Sequence, residues 1–280
     1  MKINPILIIT GLLLTACNQN TATKTETVAP TTTVEEKVTE MTFVNKGHEL
    51  VYELCKKTGD YQALKEKKDV VYTYTYQTPD GKTDISTEKY LFDGELSYGA
   101  YKKHQRTLPN LEGLIEQGYD GENYWLKHNG EVLENDAYLK RVAFNRPTNF
   151  YWFAMMPKLL DPSVVYDYKG EKTIEDKTFD VVKVSFESAD NKPTDIYQLY
   201  INKATGMVDQ FLFTVADFGV MDTPNLMQLQ YETIDGIQIP TKRQYKKSNW
   251  DAEVTDQPWI YVTWSDINFN NQLTKEDFQK

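Results

Sequence analysis

The chain has 280 residues, with 31 Lys and Arg against 41 Asp and Glu, so its formal net charge is −10. This acidic balance argues against a nucleic-acid partner, because phosphates are bound by clustered Lys and Arg, and against a basic face lying on anionic lipid. Aromatic residues make up 13% of the sequence, which favours a domain rich in β-strands.

The first 16 residues have the parts of a secretory signal peptide: Lys2, a short apolar run and small residues at the end. The run is too short to span a bilayer as a helix, which needs about 20 apolar residues. The segment Leu14-Thr15-Ala16-Cys17 resembles the bacterial lipobox. This resemblance implies that the peptide is cut before Cys17 and that Cys17 carries acyl chains. The alternative is an ordinary signal peptide followed by a chance Cys.

Residues 17–45 are predicted to be a lipidated Cys and a flexible tether. Nine of the 28 residues from Asn18 to Asn45 are Thr, and such a stretch cannot bury enough surface to offset its ordering entropy. Two or more acyl chains would hold the protein firmly on a membrane. In lipoproteins of bacteria with two membranes, an Asp directly after the Cys often retains the protein at the inner membrane. Asn18 therefore favours the outer membrane of the cell envelope, facing the periplasm.

The folded part is predicted to begin with a helix over Lys46–Thr58, capped by Asn45 and followed by Gly59. The period then changes to two, which predicts a strand over Val70–Tyr76. Turn pairs recur along the chain, and they favour two-residue hairpins because both central residues need positive φ. Their spacing predicts an antiparallel meander. The pairs are Asp80-Gly81, Asp93-Gly94, Asp120-Gly121, Asn129-Gly130 and Asp235-Gly236.

One section interrupts the strand pattern. Two helical pieces are predicted, Ala137–Phe144 and Asn149–Leu160, because Pro147 stops the first and Thr148 can cap the second. The second piece is apolar on all sides, which is not expected of a helix with one face in water.

Strands resume after this insertion. The predicted fold class is α+β and mostly antiparallel, a curved half-barrel sheet whose concave face is covered by the N-terminal helix and the helical insertion. A single domain spans residues 46–270, and residues 271–280 are predicted to be a loose C-terminal tail. The later strands are predicted at Val164–Tyr168, Phe179–Phe186, Ile196–Asn202, Met207–Val215, Leu226–Glu232, Ile237–Pro240, Arg243–Lys247 and Trp259–Phe269.

The order of helix, strands, apolar helical insertion and strands resembles the lipoprotein-localisation (LolA/LolB-like) superfamily of periplasmic carriers and receptors. The likeness extends from about Lys46 to Phe269 and implies an incomplete barrel that is closed by helices around an apolar cavity for acyl chains or other lipids. None of the carriers' functional residues can be matched singly, so none is assigned. The motifs are Leu159-Leu160-Asp161-Pro162, Phe179–Val184, Asp195–Asn202, Thr205-Gly206 and Gly236–Pro240.

No sequence motif for catalysis or metal binding is present. The three His residues, His48, His104 and His128, lack neighbours at ligand spacing. The sequence also lacks a Gly-x-Ser-x-Gly elbow, a Ser-x-x-Lys pair and a phosphate-binding Gly loop. We therefore predict no enzyme, no catalytic residue, no metal and no cofactor. With Cys17 acylated, Cys55 has no disulfide partner and is predicted to be a buried, inert thiol.

The aromatic and Met-rich part of the insertion is the candidate functional site. It is either a plain core helix that plugs the sheet or the wall of an apolar cavity, where flexible Met and flat aromatic side chains adapt to acyl chains. The candidate cavity residues are Phe150, Trp152, Phe153, Met155, Met156 and Leu159.

The sequence thus predicts a lipoprotein, anchored in the membrane by its acyl chains, that binds a lipid or other hydrophobic ligand between the curved sheet and a helical lid. The alternative is an interaction module with a filled core, which binds an envelope protein beside an outer-membrane assembly.

Overall fold

The computed structural model describes residues 42–188 and 192–280, and Thr42 to Lys280 form one compact unit. The predicted signal peptide, the predicted lipid-attachment site Cys17 and the tether up to Met41 lie outside the described residues. In the part of the chain that is described, no helix has both the length and the apolar character needed to cross a membrane.

The strands form one antiparallel sheet in the order β6-β5-β4-β3-β2-β1-β13-β12-β11-β10-β9-β8-β7. It consists of two meanders, β1–β6 and β7–β13, which are joined where β1 pairs with β13. The predicted antiparallel meander is confirmed. The strands are β1 Asp69–Gln77, β2 Thr83–Leu91, β3 Leu96–His104, β4 Ile115–Tyr119, β5 Tyr124–His128, β6 Glu131–Val132, β7 Val164–Ile174, β8 Lys177–Phe186, β9 Tyr197–Asn202, β10 Val208–Val215, β11 Val220–Ile234, β12 Ile237–Lys247 and β13 Ile260–Phe269.

All five predicted turn pairs lie between consecutive strands. At two of them, both residues have the positive φ that a type I′ hairpin requires. These are Asn129 (53°) with Gly130 (88°), and Asp235 (48°) with Gly236 (83°).

Helix α1, Lys46–Thr58, has the predicted bounds, and the Asn45 side chain caps it by accepting a hydrogen bond from the His48 amide at 3.0 Å. Helix α2, Tyr61–Glu66, was not predicted from the sequence. Its six residues are too few to show a helical period, although the Asp60 side chain caps it.

The prediction of two separate helical pieces in the insertion is wrong. The structure has one helix, α3, from Asp136 to Lys158, which continues through Pro147. Arg146, just before the proline, and Phe150, three residues after it, are both buried. Tertiary packing on both sides of Pro147 therefore keeps the helix continuous despite the lost backbone hydrogen bond.

The two strands predicted on either side of Thr241 are also a single strand, β12. Pro240 has no N–H to donate, but β13 pairs with β12 only from Lys242 onward. The proline therefore lies in a part of β12 that has no partner on that side.

The C-terminal residues are packed, contrary to the expected loose tail. The Phe278 side chain is fully buried, and its carbonyl accepts a hydrogen bond from Trp125 Nε1 at 2.8 Å. The Asp69 carboxylate accepts hydrogen bonds from the backbone amides of Asn271 and Leu273. One aromatic residue and a buried carboxylate are enough to hold an otherwise polar segment.

The hydrophobic core lies on the concave face, between the sheet and the helices. Helix α1 and the C-terminal half of α3 pack on β7–β11, while α2 and the middle of α3 pack near β1, β2, β12 and β13. A smaller cluster lies on the opposite face, where Trp250 and Trp259 fold over β8–β11. The predicted fold class, a curved antiparallel sheet with helices on its concave face, is confirmed.

Candidate functional site

Most of the predicted cavity residues lie in filled parts of the core. Phe150 and Phe153 pack with aromatic residues of β1, β2 and β13, and Met155, Met156 and Leu159 pack against α1 and β7–β11. A void of about 10 Å³ touches Phe153 and Met156, which is space for about one water molecule at most. These side chains therefore fill the core in the structure.

A larger cavity, of about 280 Å³, lies between α3 and the concave face of the sheet. Trp152 is the predicted residue that lines it. The floor comes from five strands that are neighbours in the sheet, β1, β13, β12, β11 and β10. Its side chains include Tyr74, Trp264, Tyr245, Met227 and Phe213.

The register of the sheet brings these floor side chains together. Tyr74 lies directly opposite Trp264 on β13, and Met227 lies directly opposite Tyr245 on β12. The hydroxyl of Tyr76 forms a hydrogen bond with the hydroxyl of Tyr245 across the floor. Because residues opposite each other in an antiparallel pair share one face, the floor is a continuous aromatic surface.

One face of α3 forms the roof of the cavity. Its residues recur at the spacing i, i+3, i+4, i+7, i+8, i+11, which places them on one side of a helix. This face is mostly polar although it points towards the sheet, so the space below it differs from the filled core under the C-terminal half of α3. The roof residues are Arg141, Phe144, Asn145, Thr148, Asn149 and Trp152.

The connection between β10 and β11 forms the rim of the cavity on the β10 side. Phe218 in this connection is 59% exposed, and its ring centroid lies 4.8 Å from that of Phe144. Asp195 lies here too and accepts a hydrogen bond from the Ala216 amide at 2.6 Å. Burial raises the pKa of the Asp195 carboxyl, an effect that the Ala216 hydrogen bond partly offsets.

Two guanidinium groups line the cavity on the β1 side. The Arg106 guanidinium carbon lies 4.0 Å from the ring centroid of Tyr76, and that of Arg141 lies 5.5 Å from the ring centroid of Phe144. Burial lowers the pKa of Arg141, and the positive charge of Arg106 lowers it further. The two cations therefore raise each other's electrostatic energy at this end of the cavity.

Sequence reasoning missed most of this lining. One available signal was β1, where Tyr72, Tyr74 and Tyr76 alternate onto one face. The polar face of α3 was hidden by the expected break at Pro147, because Arg141 and Phe144 were assigned to one helix and Asn149 and Trp152 to another. Arg106 has no such signal, since it lies in an irregular segment after β3.

Chemically, the aromatic rings and guanidinium groups of the site can bind a ligand. Among residues 42–188 and 192–280, no group of three His, Cys, Asp or Glu side chains is placed to hold a metal ion. Cys55 is buried, as predicted, and burial raises the pKa of its thiol to about 12. Its Sγ donates to the Met156 carbonyl at 3.1 Å, outside the cavity.

Comparison with known proteins gives a family of unknown function, DUF6503, whose model matches residues 128–223, about a third of the chain. No curated protein matches the chain. The family match covers α3, one wall of the cavity, and strands β6–β10.

Solved structures that are similar include a DUF1329 family protein from Desulfovibrio piger, with 11% identity, a TM-score of 0.48 and coverage of 83% of this chain and 95% of that one. A LolA superfamily protein from Nitrosomonas europaea has 11% identity and a TM-score of 0.48 over 84% and 97% of the two chains. The lipoprotein LppX from Mycobacterium tuberculosis has 10% identity and a TM-score of 0.34 over 81% and 97%. Structural similarity with so few identical residues says nothing about ligands. The cavity of this chain is therefore the basis for inferring what it binds.

Proposed function

We propose that this chain is a membrane-anchored lipoprotein of the cell envelope that binds a hydrophobic ligand, such as a lipid, between α3 and the curved sheet, without catalysis. The observation that carries the proposal is the cavity of about 280 Å³ with its aromatic floor. Ligand pockets typically measure about 300–1,000 Å³, so this cavity is just below the range. It suits one slim apolar chain better than a whole membrane lipid.

The lining supports an apolar ligand. Flat rings from neighbouring strands offer a large contact surface at little cost in side-chain entropy, and Met227 adds an adaptable side chain. The Trp152 ring in the roof lies 5.1 Å from that of Phe213 in the floor. The Trp152 carbonyl accepts a hydrogen bond from Arg243 Nη2 at 2.8 Å, which fixes this part of the roof.

The anchor supports a location at the membrane. Cys17 is proposed to carry the acyl chains, and the tether would let the domain stand off an outer membrane and face the periplasm. A protein that collects a hydrophobic ligand near a bilayer would gain from such a tether, because it keeps the cavity close to the ligand's source.

The test is the substitution Trp152→Ala in the whole predicted mature chain, Cys17 to Lys280, with Cys17→Ser to prevent acylation. We expect the affinity for decan-1-ol, measured by isothermal titration calorimetry, to fall at least about tenfold, or about 1.4 kcal/mol. The reason is that Trp152 supplies aromatic contact surface in the roof of the cavity.

The matched control is Trp259→Ala. Trp259 is also half-buried, but it packs on the opposite face of the sheet. We expect this variant to keep the affinity of the parent chain within about twofold. Equal affinity of the two folded variants would contradict the cavity assignment, and absence of binding together with a stable protein partner would favour the interaction module with a filled core.

A further inference from the structure

The cavity has a cationic end and an aromatic floor. Arg106 reaches it from the segment after β3 and Arg141 reaches it from α3, so two elements far apart in the chain bring their cations to one place. Trp152, Phe213 and Met227 give the floor and roof beyond them an apolar surface, and Asp195 and Asp217 lie at the rim past Phe213. An amphipathic lining of this kind suits a ligand with a charged head and an apolar chain.

The acidic groups near this end do not neutralise both cations. Asp84 lies 3.6 Å from Arg106 Nε, but its carboxylate already accepts hydrogen bonds from the backbone amides of Arg106 and Thr107. Arg106 Nε has no hydrogen-bond partner among the described atoms. Arg141 forms no ion pair within the described part of the chain. The Asp84 carboxylate therefore offsets the charge of two guanidinium groups only in part.

The other acidic residues of the cavity lie on its far side. Asp195 is held by the connection after β10, and Asp217 is an exposed residue of that same connection. Arg106 stacks on Tyr76 of β1, and three strands, β13, β12 and β11, lie between β1 and β10. Arg106 and the acidic rim therefore lie on opposite sides of the floor, whereas Arg141 lies nearer the rim through Phe144, which contacts Phe218.

The chemistry of the two guanidinium groups is suited to an acid. Arginine presents a planar fork of donors that matches a carboxylate or a phosphate and binds it through paired hydrogen bonds. Stacking on Tyr76 and proximity to Phe144 restrain the two side chains before a ligand arrives. Aromatic walls also exclude water, which strengthens a charge–charge contact.

We infer that the ligand of this cavity is an acidic amphipath, whose carboxylate or phosphate head is bound by Arg106 and Arg141 while its apolar chain lies on the aromatic floor. The inference rests on the proposed function and names the class of ligand for the same site.

The experiment compares decanoate, decyl phosphate, decan-1-ol and decylammonium as probes, by isothermal titration calorimetry on the chain from Cys17 to Lys280 with Cys17→Ser. We expect decanoate or decyl phosphate to bind at least about tenfold more tightly than decan-1-ol, and decylammonium to bind more weakly than the alcohol. Whichever acid binds more tightly identifies the head as a carboxylate or a phosphate. Acetate and inorganic phosphate alone should bind much more weakly than either acid, since they lack the chain.

Arg141→Gln is the decisive variant, because Arg106 pairs with buried Asp84 and its loss also affects folding. We expect Arg141→Gln to reduce the preference for the acid over the alcohol by about tenfold while decan-1-ol still binds. Arg141→Lys, which retains the charge, should keep part of the preference. Lys103→Gln removes an exposed positive charge from β3 outside the cavity and should leave the preference unchanged.

Two results would overturn the inference while leaving the proposed function intact. The first is equal affinity of the parent chain for decan-1-ol and the two acids. The second is a folded Arg141→Gln variant that still prefers the acid over decan-1-ol as strongly as the parent chain does. Tight binding of inorganic phosphate without a chain would also overturn it, because the ligand would then not be an amphipath. If none of the probes bound, both the inference and the proposed function would fail.

Discussion

A buried ion pair positions the roof of the cavity. Arg146 Nη1 and Glu88 Oε2 are 2.9 Å apart, and both side chains are 0% exposed. Burial lowers the pKa of the Arg146 guanidinium, but the Glu88 carboxylate, together with Tyr101 and Tyr90, raises it, so the pKa is raised overall. Gly99 makes room for the pair, because a Cβ there would lie 2.6 Å from Arg146 Nη1. This contact ties α3 to β2 and β3 beside the cavity.

Removing one partner of this pair should strongly destabilise the fold. Glu88→Gln leaves the Arg146 charge buried without its counter-ion, so we expect a loss of about 3–5 kcal/mol in the free energy of unfolding, measured with urea. Glu49→Gln, in the exposed pair of Lys46 and Glu49 at 3.0 Å, is the control and should lose much less. Similar losses in the two variants would show that burial does not set the strength of the pair.

Helix α3 performs two tasks along its length. Its C-terminal half, with Phe153, Met155 and Met156, fills the core, while the face that begins at Arg141 roofs the cavity. Pro147 lies on the exposed side of the helix, on neither of these faces. The two tasks therefore belong to different faces of one continuous helix, and its exposed proline costs stability without contributing packing.

Pro147→Ala should stabilise the protein. Alanine restores an N–H donor to the helix and removes the ring from the preceding turn, which favours the helix by up to about 3 kcal/mol. Thermal unfolding would measure the gain. Pro157→Ala is the matched control, because Pro157 is buried and its loss leaves a gap that offsets the restored hydrogen bond. A loss of stability in Pro147→Ala would mean that the fold depends on the proline ring.

At the scale of the whole molecule, the cavity floor crosses the junction of the two meanders. Tyr74 and Tyr76 belong to β1 of the first meander, whereas the remaining floor strands belong to the second. The C-terminal segment follows β13 and returns to the first meander, where Phe278 meets Trp125 of β5. The site therefore forms only when the two meanders assemble.

Phe278→Ala tests how firmly the C-terminus holds this assembly. Removing a fully buried Phe side chain should lower the free energy of unfolding by about 3–5 kcal/mol, measured with urea. Gln279→Ala changes an exposed neighbour and should stay within about 0.5 kcal/mol of the parent. If the two variants were equally stable, the C-terminal segment would be the loose tail that its polar composition predicts.

Short sequence patterns were sufficient to predict many of the helices, strands and turns. The bounds of α1 follow from Asn45 and Gly59, and the hairpins follow from Asp-Gly and Asn-Gly pairs, because caps and turns are decided by a few adjacent residues. The alternation of apolar residues likewise predicted most strands of the second meander. These features, and the fold class that they imply, were determined by the sequence alone.

Only the tertiary structure decided where the chain leaves a cavity. The sequence pointed to the most apolar helical segment, but those side chains fill the core, and Trp152 alone of the predicted set lines the space of about 280 Å³. Arg106, Arg141 and Tyr245 come from three separate segments. A cavity is set by how distant elements pack, and the period of one segment carries no information about the gap that remains between them.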